Sequence, residues 1–275
     1  MTTFFFRLKI LIYRIIGYEK PLRVAALKYL SLKYKQFRPH YETIMLESAL
    51  EAKRLNYTEI TVLELGVGGG NGILSLLKYK KNIEKYCNIK INIYGFDTGK
   101  GLPKLQSNFD LPFLWHEGQF DQSLNLDSFK KAKIIKGDIK NSFDELIKYN
   151  PKNISAIFFD MDLYSSTANF LNQINKIEKF LSPRVLCYFD DIFNTFHHIN
   201  EFNGEILAIN EFNKSNNNIK IGKSVDNIKD FRFPLAKGKV FNMQKFDHVD
   251  YNKYLGLKMN KLFINEKGIK TNNIF

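Results

Sequence analysis

Apolar and polar positions along this chain fall into two alternating patterns. Short apolar runs at Thr61–Leu65, Ile89–Phe96, Ala132–Ile135, Ile154–Phe159 and Val185–Phe189 have the length and the β-branched or aromatic content of buried strands. Between them lie segments whose apolar residues recur three and four apart. These are Asn71–Tyr79, Ser142–Tyr149 and Gly204–Phe212, together with a longer stripe through Phe170, Leu171, Ile174, Ile177, Phe180 and Leu181. That stripe predicts one continuous helix, opened by the capping hydroxyls of Ser165, Ser166 and Thr167. Ile219–Gly222 and Lys239–Phe246 read as a last pair of strands. Strands alternating with helices imply a parallel sheet with right-handed crossovers. The expected architecture is therefore α/β: a doubly wound, mostly parallel seven-stranded sheet. Ahead of it, residues 1–57 read as helical, with Leu27, Leu30 and Tyr34 at helical spacing and a further helix over Tyr41–Leu55. The division expected is an N-terminal helical cap, 1–57, and a core domain, 58–275.

The first strand runs straight into glycines at 66, 68, 69, 70 and 72 and then into a helix. Strand, glycine loop and helix N-terminus together present backbone N–H groups to a small ligand. The spacing discriminates between ligands. A dinucleotide fingerprint needs G-x-G-x-x-G/A, and the sixth position is Asn71 counted from Gly66 or Ile73 counted from Gly68. What stands here is E-x-G-x-G-x-G, at Glu64, Gly66, Gly68 and Gly70. A glycine turn without a ligand is the plainer alternative; the ligand-binding reading is favoured over it.

Ligands of such a sheet bind beyond the carboxyl ends of the strands. Four of the five predicted parallel strands end in or beside an acid: Asp97, Asp138, Asp160 and Asp190-Asp191. One such acid would be an ordinary turn former, but four at one edge exceed what turns require. Asp97 is expected to accept from ribose hydroxyls. Asp138 reads equally as a partner of an adenine amine or as a turn residue. Asp160 and Asp162, one crossover from Asp190 and Asp191, bring up to four carboxylates together. Such charges repel unless a cation lies among them, and oxygen-only ligands select a hard divalent ion, Mg²⁺ ahead of Ca²⁺ or Mn²⁺. The alternative is that Asp162 or Asp191 caps the following helix while the others face solvent.

Composition narrows the partners. The chain has 275 residues and a net charge of +13. Its lysines are scattered, and no nucleic-acid module stands out, so nucleic acid is disfavoured as a partner. An acidic or phosphorylated substrate, or a membrane surface, suits the charge better. Two cysteines without metal-type spacing point to a reducing cytoplasm. The apolar run Phe4–Ile16 is too short for a span and is broken by Arg7, Lys9 and Arg14. It reads as a basic, apolar helix docking on its own domain, on a partner chain such as a second copy in a homo-oligomer, or peripherally on an anionic membrane.

These motifs resemble a known family. The Glu64–Gly70 loop is similar to motif I of the class I S-adenosylmethionine-dependent methyltransferases, which wraps the methionine and ribose of the cofactor. D-x-D-L-Y-x-S-T at Asp160–Thr167 followed by Asp190-Asp191 resembles the TylF/macrocin group of sugar O-methyltransferases. So do Gly95-Phe96-Asp97 before Gly101-Leu102-Pro103, and the run Trp115–Phe120. The resemblance implies a Rossmann-like fold, S-adenosylmethionine bound by Glu64, Gly66, Gly68, Gly70, Asp97 and Asp138, and Mg²⁺ held by Asp160 or Asp162 with Asp190 and Asp191. It implies methylation of a hydroxyl on a sugar or other polyhydroxylated acceptor, a small molecule or glycan, in glycan or natural-product biosynthesis. Asp160 and Asp162 are candidate catalytic groups, with His197 and its neighbour His198 as alternative bases. Thr98-Gly99-Lys100 stands where the group tends to carry an aromatic-acidic pair, so the acceptor is expected to differ. The competing readings are an RNA or protein methyltransferase and a non-catalytic member of the fold that binds cofactor or a partner.

Overall fold

A computed structural model of the chain describes residues 38–121, 129, 131–192, 198–224 and 238–255. The helices expected before residue 38, His197 and part of the 98–127 segment lie outside these residues. The sheet has seven strands: β1 (Glu59–Leu65), β2 (Lys90–Asp97), β3 (Lys133–Lys136), β4 (Ile154–Phe159), β5 (Leu181–Phe189), β6 (Ile219–Lys223) and β7 (Val240–Lys245). Their spatial order is β3-β2-β1-β4-β5-β7-β6. The pairs from β3 through β5 are parallel, and β7 runs antiparallel between β5 and β6. Strand order reverses between β1 and β4, which opens a crevice at their carboxyl ends.

Each face of the sheet carries its own core. α1 (Pro39–Arg54) and α2 (Asn71–Cys87) cover one face, while α3 (Phe143–Lys148), α4 (Tyr164–Leu171) and α5 (Gly204–Ser215) cover the other. The strand period of two sorts β4: Ala156 and Phe158 point toward α1, and Ile157 and Phe159 point the opposite way. Phe158 stacks on Tyr41 of α1 with ring centroids 4.0 Å apart, and Phe159 stacks on Phe189 of β5 at 4.2 Å. Such pairs add about 0.5–1.5 kcal/mol each beyond the apolar area they bury. The ion pair from Arg184 Nε on β5 to Glu51 Oε1 on α1, at 2.6 Å, fixes the far end of that helix. Tyr41, Ile44, Met45, Ala49 and Ala52 of α1 are buried in the core of the domain.

The stripe through Phe170 to Leu181 does not form one helix. α4 ends at Leu171, two 3₁₀ turns follow at Ile174–Lys176 and Glu178–Phe180, and Leu181 opens β5 opposite Ile154. Leu171, Ile174, Ile177 and Phe180 are spaced by three, which suits a 3₁₀ turn as well as a helix. Pairing with β4 decides the outcome. The long connection after β2 is clamped by Asp110, whose Oδ2 accepts from the Gln106 and Ser107 amides while Oδ1 accepts from Ser165 N at 2.7 Å. Among the described residues no helix is long and apolar enough to cross a membrane.

His40 on α1 is buried against the Tyr188 ring at 4.7 Å, and neither ring nitrogen has a hydrogen-bond partner among the described residues. Burial, reinforced by the Arg38 charge, lowers its pKa from 6.5 to about 3. The unfolded chain therefore takes up this proton first as pH falls. His40's contribution to stability is fully present above pH 6.5 and declines down to about pH 3. Urea titrations of wild type and His40→Phe are expected to diverge across this window, the wild type losing about 1.4 kcal/mol more per pH unit. Parallel curves would show that His40 is not buried in its neutral form.

Candidate active site

The carboxyl ends of all five parallel strands meet in one cavity of about 360 Å³. β1 supplies the glycine loop, β2 Asp97, β3 Gly137-Asp138, β4 Asp160 and Asp162, and β5 Asp190-Asp191. Gly66, Gly68 and Gly69 form part of its wall. Gly66 has φ +86°, and a Cβ there would sit 1.9 Å from the Asp160 carbonyl oxygen, so only glycine lets β1 turn against β4. Asp97 shapes the loop from the next strand. Its Oδ2 accepts from Val67 N at 2.9 Å and Gly68 N at 2.8 Å, and its Oδ1 accepts from Gly99 N at 2.7 Å. A carboxylate has about four acceptor positions, so capacity remains toward the cavity.

Two of the six residues assigned to the cofactor from sequence are not in the cavity wall. Glu64 is buried beneath the loop, where Tyr41 donates to its Oε1 at 3.2 Å. A Cβ on Gly72 would lie 1.6 Å from that oxygen, so the carboxyl fills the space under the start of α2. Burial raises its pKa well above the carboxylate range, with the Arg38 guanidinium opposing the shift. Gly70 is the N-cap of α2 at φ +79° and faces the Phe129 ring. Asp138 lies in the wall and also caps a 3₁₀ turn by accepting from Lys140 N, which accommodates both readings of that residue.

Of the four acids expected to share a cation, Asp160, Asp190 and Asp191 each offer an oxygen within 4.8 Å of the others. Asp162 lies beside this cluster at φ +63°, a left-handed conformation uncommon outside glycine. The chain supplies two cations of its own. Arg38 Nη1 lies 2.6 Å from Asp160 Oδ2, and Lys239 Nζ lies 3.1 Å from Asp190 Oδ1 while also donating to the Asp190 carbonyl. The Tyr188 hydroxyl donates to Asp190 Oδ1 at 2.5 Å.

These partners split the pKa values. Burial tends to raise Asp190, but the Lys239 ammonium, the Tyr188 hydroxyl and the Arg38 guanidinium outweigh it and hold the group at about 2. Burial raises Asp160 to about 6 against the pull of Arg38. Burial together with the charges of Asp160 and Asp190 brings Asp162 to about 7. Asp191 and Glu205 are raised well above the carboxylate range, first by burial and then by the neighbouring acids. Glu205 Oε2 accepts from Asp191 N at 3.2 Å, whereas Asp191 Oδ2 is buried with no partner among the described residues. That orphaned oxygen and an all-oxygen donor set fit a hard divalent cation.

Arg38, Lys239, Tyr188 and Glu205 were not found from sequence. Arg38 and Asp160 are 122 positions apart, and Lys239 and Asp190 are 49 apart, with no local pattern joining either pair. Trp115 and Phe120 line the cavity with ring centroids 5.9 Å apart, and the buried Trp115 Nε1 has no partner among the described residues. His116 is exposed, and the exposed His198 packs edge-on against Phe113 at 5.7 Å.

By sequence the chain matches no family model and no curated protein. By structure it is similar to the O-methyltransferase NovP, with a TM-score of 0.50 over 75% of this chain and 79% of that one, at 14% identity. It is also similar to CalS11, described as a calicheamicin methyltransferase, with a TM-score of 0.47 over 62% of this chain and 70% of that one, at 21% identity. The chain has the Rossmann-like fold of the class I S-adenosylmethionine-dependent methyltransferases.

Two glycines of the loop separate crowding from strain. Gly66→Ala meets both a positive φ and the Asp160 carbonyl, whereas a Cβ added at Gly68, where φ is +46°, would have nothing within 4 Å. Urea unfolding is expected to show a loss of about 3 kcal/mol or more for Gly66→Ala and about 1–2 kcal/mol for Gly68→Ala. Equal losses would remove the close approach of β1 to β4 as the reason for Gly66.

Proposed function

We propose that this chain transfers the methyl group of S-adenosylmethionine to a hydroxyl of a sugar or other polyhydroxylated acceptor, with Mg²⁺ held by Asp160, Asp190 and Asp191, in glycan or natural-product assembly. One observation carries the reading: a single cavity joins the glycine loop and Asp97 at one side to the three-carboxylate cluster at the other. The fold shared with NovP, an O-methyltransferase, supports it. Bound together, S-adenosylmethionine would supply an electrophilic sulfonium methyl and Mg²⁺ would make an acceptor hydroxyl more acidic.

The chain's own residues do the remainder. The backbone of Gly66, Gly68 and Gly69 admits the cofactor closely, and the remaining acceptor position of Asp97 takes a ribose hydroxyl. Asp138 receives an amine of the adenine. Asp190, kept ionised by Lys239 and Tyr188, anchors the cluster, and Asp191 contributes the oxygen that lacks a partner. Asp162, in the wall beside the cluster, takes the proton of the acceptor hydroxyl. Trp115 and Phe120 line the cavity, leaving the indole N–H to donate to an acceptor oxygen. Cofactor and acceptor held side by side also gain from proximity. A phosphate-rich polymer fits less well, because the cluster would repel it. Two buried free thiols, Cys87 and Cys187, support a reducing, cytoplasmic setting.

Calorimetric titration of S-adenosylmethionine is expected to show binding in the micromolar range that survives EDTA, with separate Mg²⁺ binding that is lost in the Asp190→Ala, Asp191→Ala double variant. Absence of cofactor binding under every condition would refute the methyltransferase reading. Cofactor binding without Mg²⁺ binding would remove only the metal. Asp162→Asn suits the same left-handed backbone and deletes the charge, so its kcat is expected to fall by about 10²-fold or more with cofactor affinity unchanged. An unaltered kcat would exclude Asp162 as the base.

A further inference from the structure

We infer that Arg38 is an exchangeable counter-cation of the acid cluster: its guanidinium occupies the cation position on Asp160, and a divalent ion enters only as Arg38 swings away. This inference rests on the metal reading above. Arg38 Nη1 lies 2.6 Å from Asp160 Oδ2, one of the three carboxylates whose oxygens gather within 4.8 Å. Mg²⁺ sits about 2.1 Å from a carboxylate oxygen, so an ion sharing Oδ2 with Arg38 would lie no more than about 4.7 Å from the guanidinium nitrogen. Both side chains are mostly buried, so water screens such a pair weakly and like charges at that separation disfavour one another. The two cations are alternatives.

The geometry also selects which resident cation leaves. Lys239 donates to both the main-chain carbonyl and the carboxylate of Asp190, lies 5.9 Å from the Tyr188 ring centroid and is not part of the cavity wall. Arg38 is in the wall, with open volume in front of it, and its second partner is the Tyr41 hydroxyl at 2.6 Å. When Arg38 leaves, Tyr41 keeps its bond to Glu64, so the floor of the glycine loop stays intact. Lys239 stays in either state and holds Asp190 in place. Arg38 thus sets the affinity of the site for its ion and links the position of the α1 N-terminus to cation occupancy.

Binding of Mn²⁺, read from the electron paramagnetic resonance signal of the free ion, tests this on the full-length wild type, Arg38→Gln, Lys239→Gln and Asp191→Asn, with folding checked by circular dichroism. Arg38→Gln is expected to bind Mn²⁺ about tenfold more tightly than wild type and more tightly than Lys239→Gln. No tightening in Arg38→Gln, or equal tightening in Lys239→Gln, while Asp191→Asn loses the ion, would overturn the exchange and leave the metal reading standing. Absence of Mn²⁺ binding in every folded form at millimolar ion would overturn the metal reading itself. A second measurement needs no variant to fold. In ¹⁵N spectra of wild-type arginine side chains, assigned by single-residue labelling, the Arg38 resonance is expected to move as Mg²⁺ saturates. A stationary resonance at saturation would refute the exchange.

Discussion

Gathering carboxylates at one edge of a sheet is unfavourable unless positive charge comes with them, and much of this domain answers that constraint. Asp160, Asp162, Asp190, Asp191 and Glu205 crowd beyond β4 and β5 with little water to screen them. Arg38 comes from before α1, and Lys239 from before β7, to neutralise two of the five. All but Asp190 move their proton affinities upward. The same edge therefore holds one firmly ionised acid, Asp190, beside groups that carry protons near neutral pH.

The glycine-loop side of the cavity obeys a different constraint, close backbone approach. Gly66 touches the Asp160 carbonyl, and Asp97 ties down the amides of Val67, Gly68 and Gly99. The two halves of the cavity are thereby joined through covalent neighbours: the residue whose carbonyl packs on Gly66 is the one whose side chain meets Arg38. The chain Asp160–Arg38–Tyr41–Glu64 adds a hydrogen-bonded connection beneath the loop.

α1 has a double part in this arrangement. Its apolar face closes the core over Val62, Phe158 and Tyr188, and its first residues deliver Arg38 to the cavity. Arg38–Arg54 thus works as part of the methyltransferase-like fold itself. The aromatic contacts around Tyr41 hold the guanidinium at the height of the strand ends.

Much of the architecture was legible in the order of residues. Apolar runs marked the strands because burial on both faces leaves little else for them to be, and the acids following Phe96, Phe159 and Phe189 fell at one edge because parallel strands end on the same side. E-x-G-x-G-x-G announced a loop that must approach something closely. Where local signals were degenerate, tertiary pairing decided. A three-residue spacing after Leu171 suited helix and 3₁₀ turn alike, and β4 drew Leu181 into the sheet. Glu64 and Gly70 shared a motif with the wall of the cavity yet lie behind it, because the Glu64 carboxyl lies under the start of α2 against Gly72 and Gly70 caps that helix against Phe129. Arg38 and Lys239 left no trace in sequence, since a single basic residue far along the chain is like any other lysine or arginine until folding brings it to an acid. Composition and periodicity determined the sheet and the edge where chemistry gathers; only the folded chain decided which charges meet there, because electrostatic partners are chosen by distance in space.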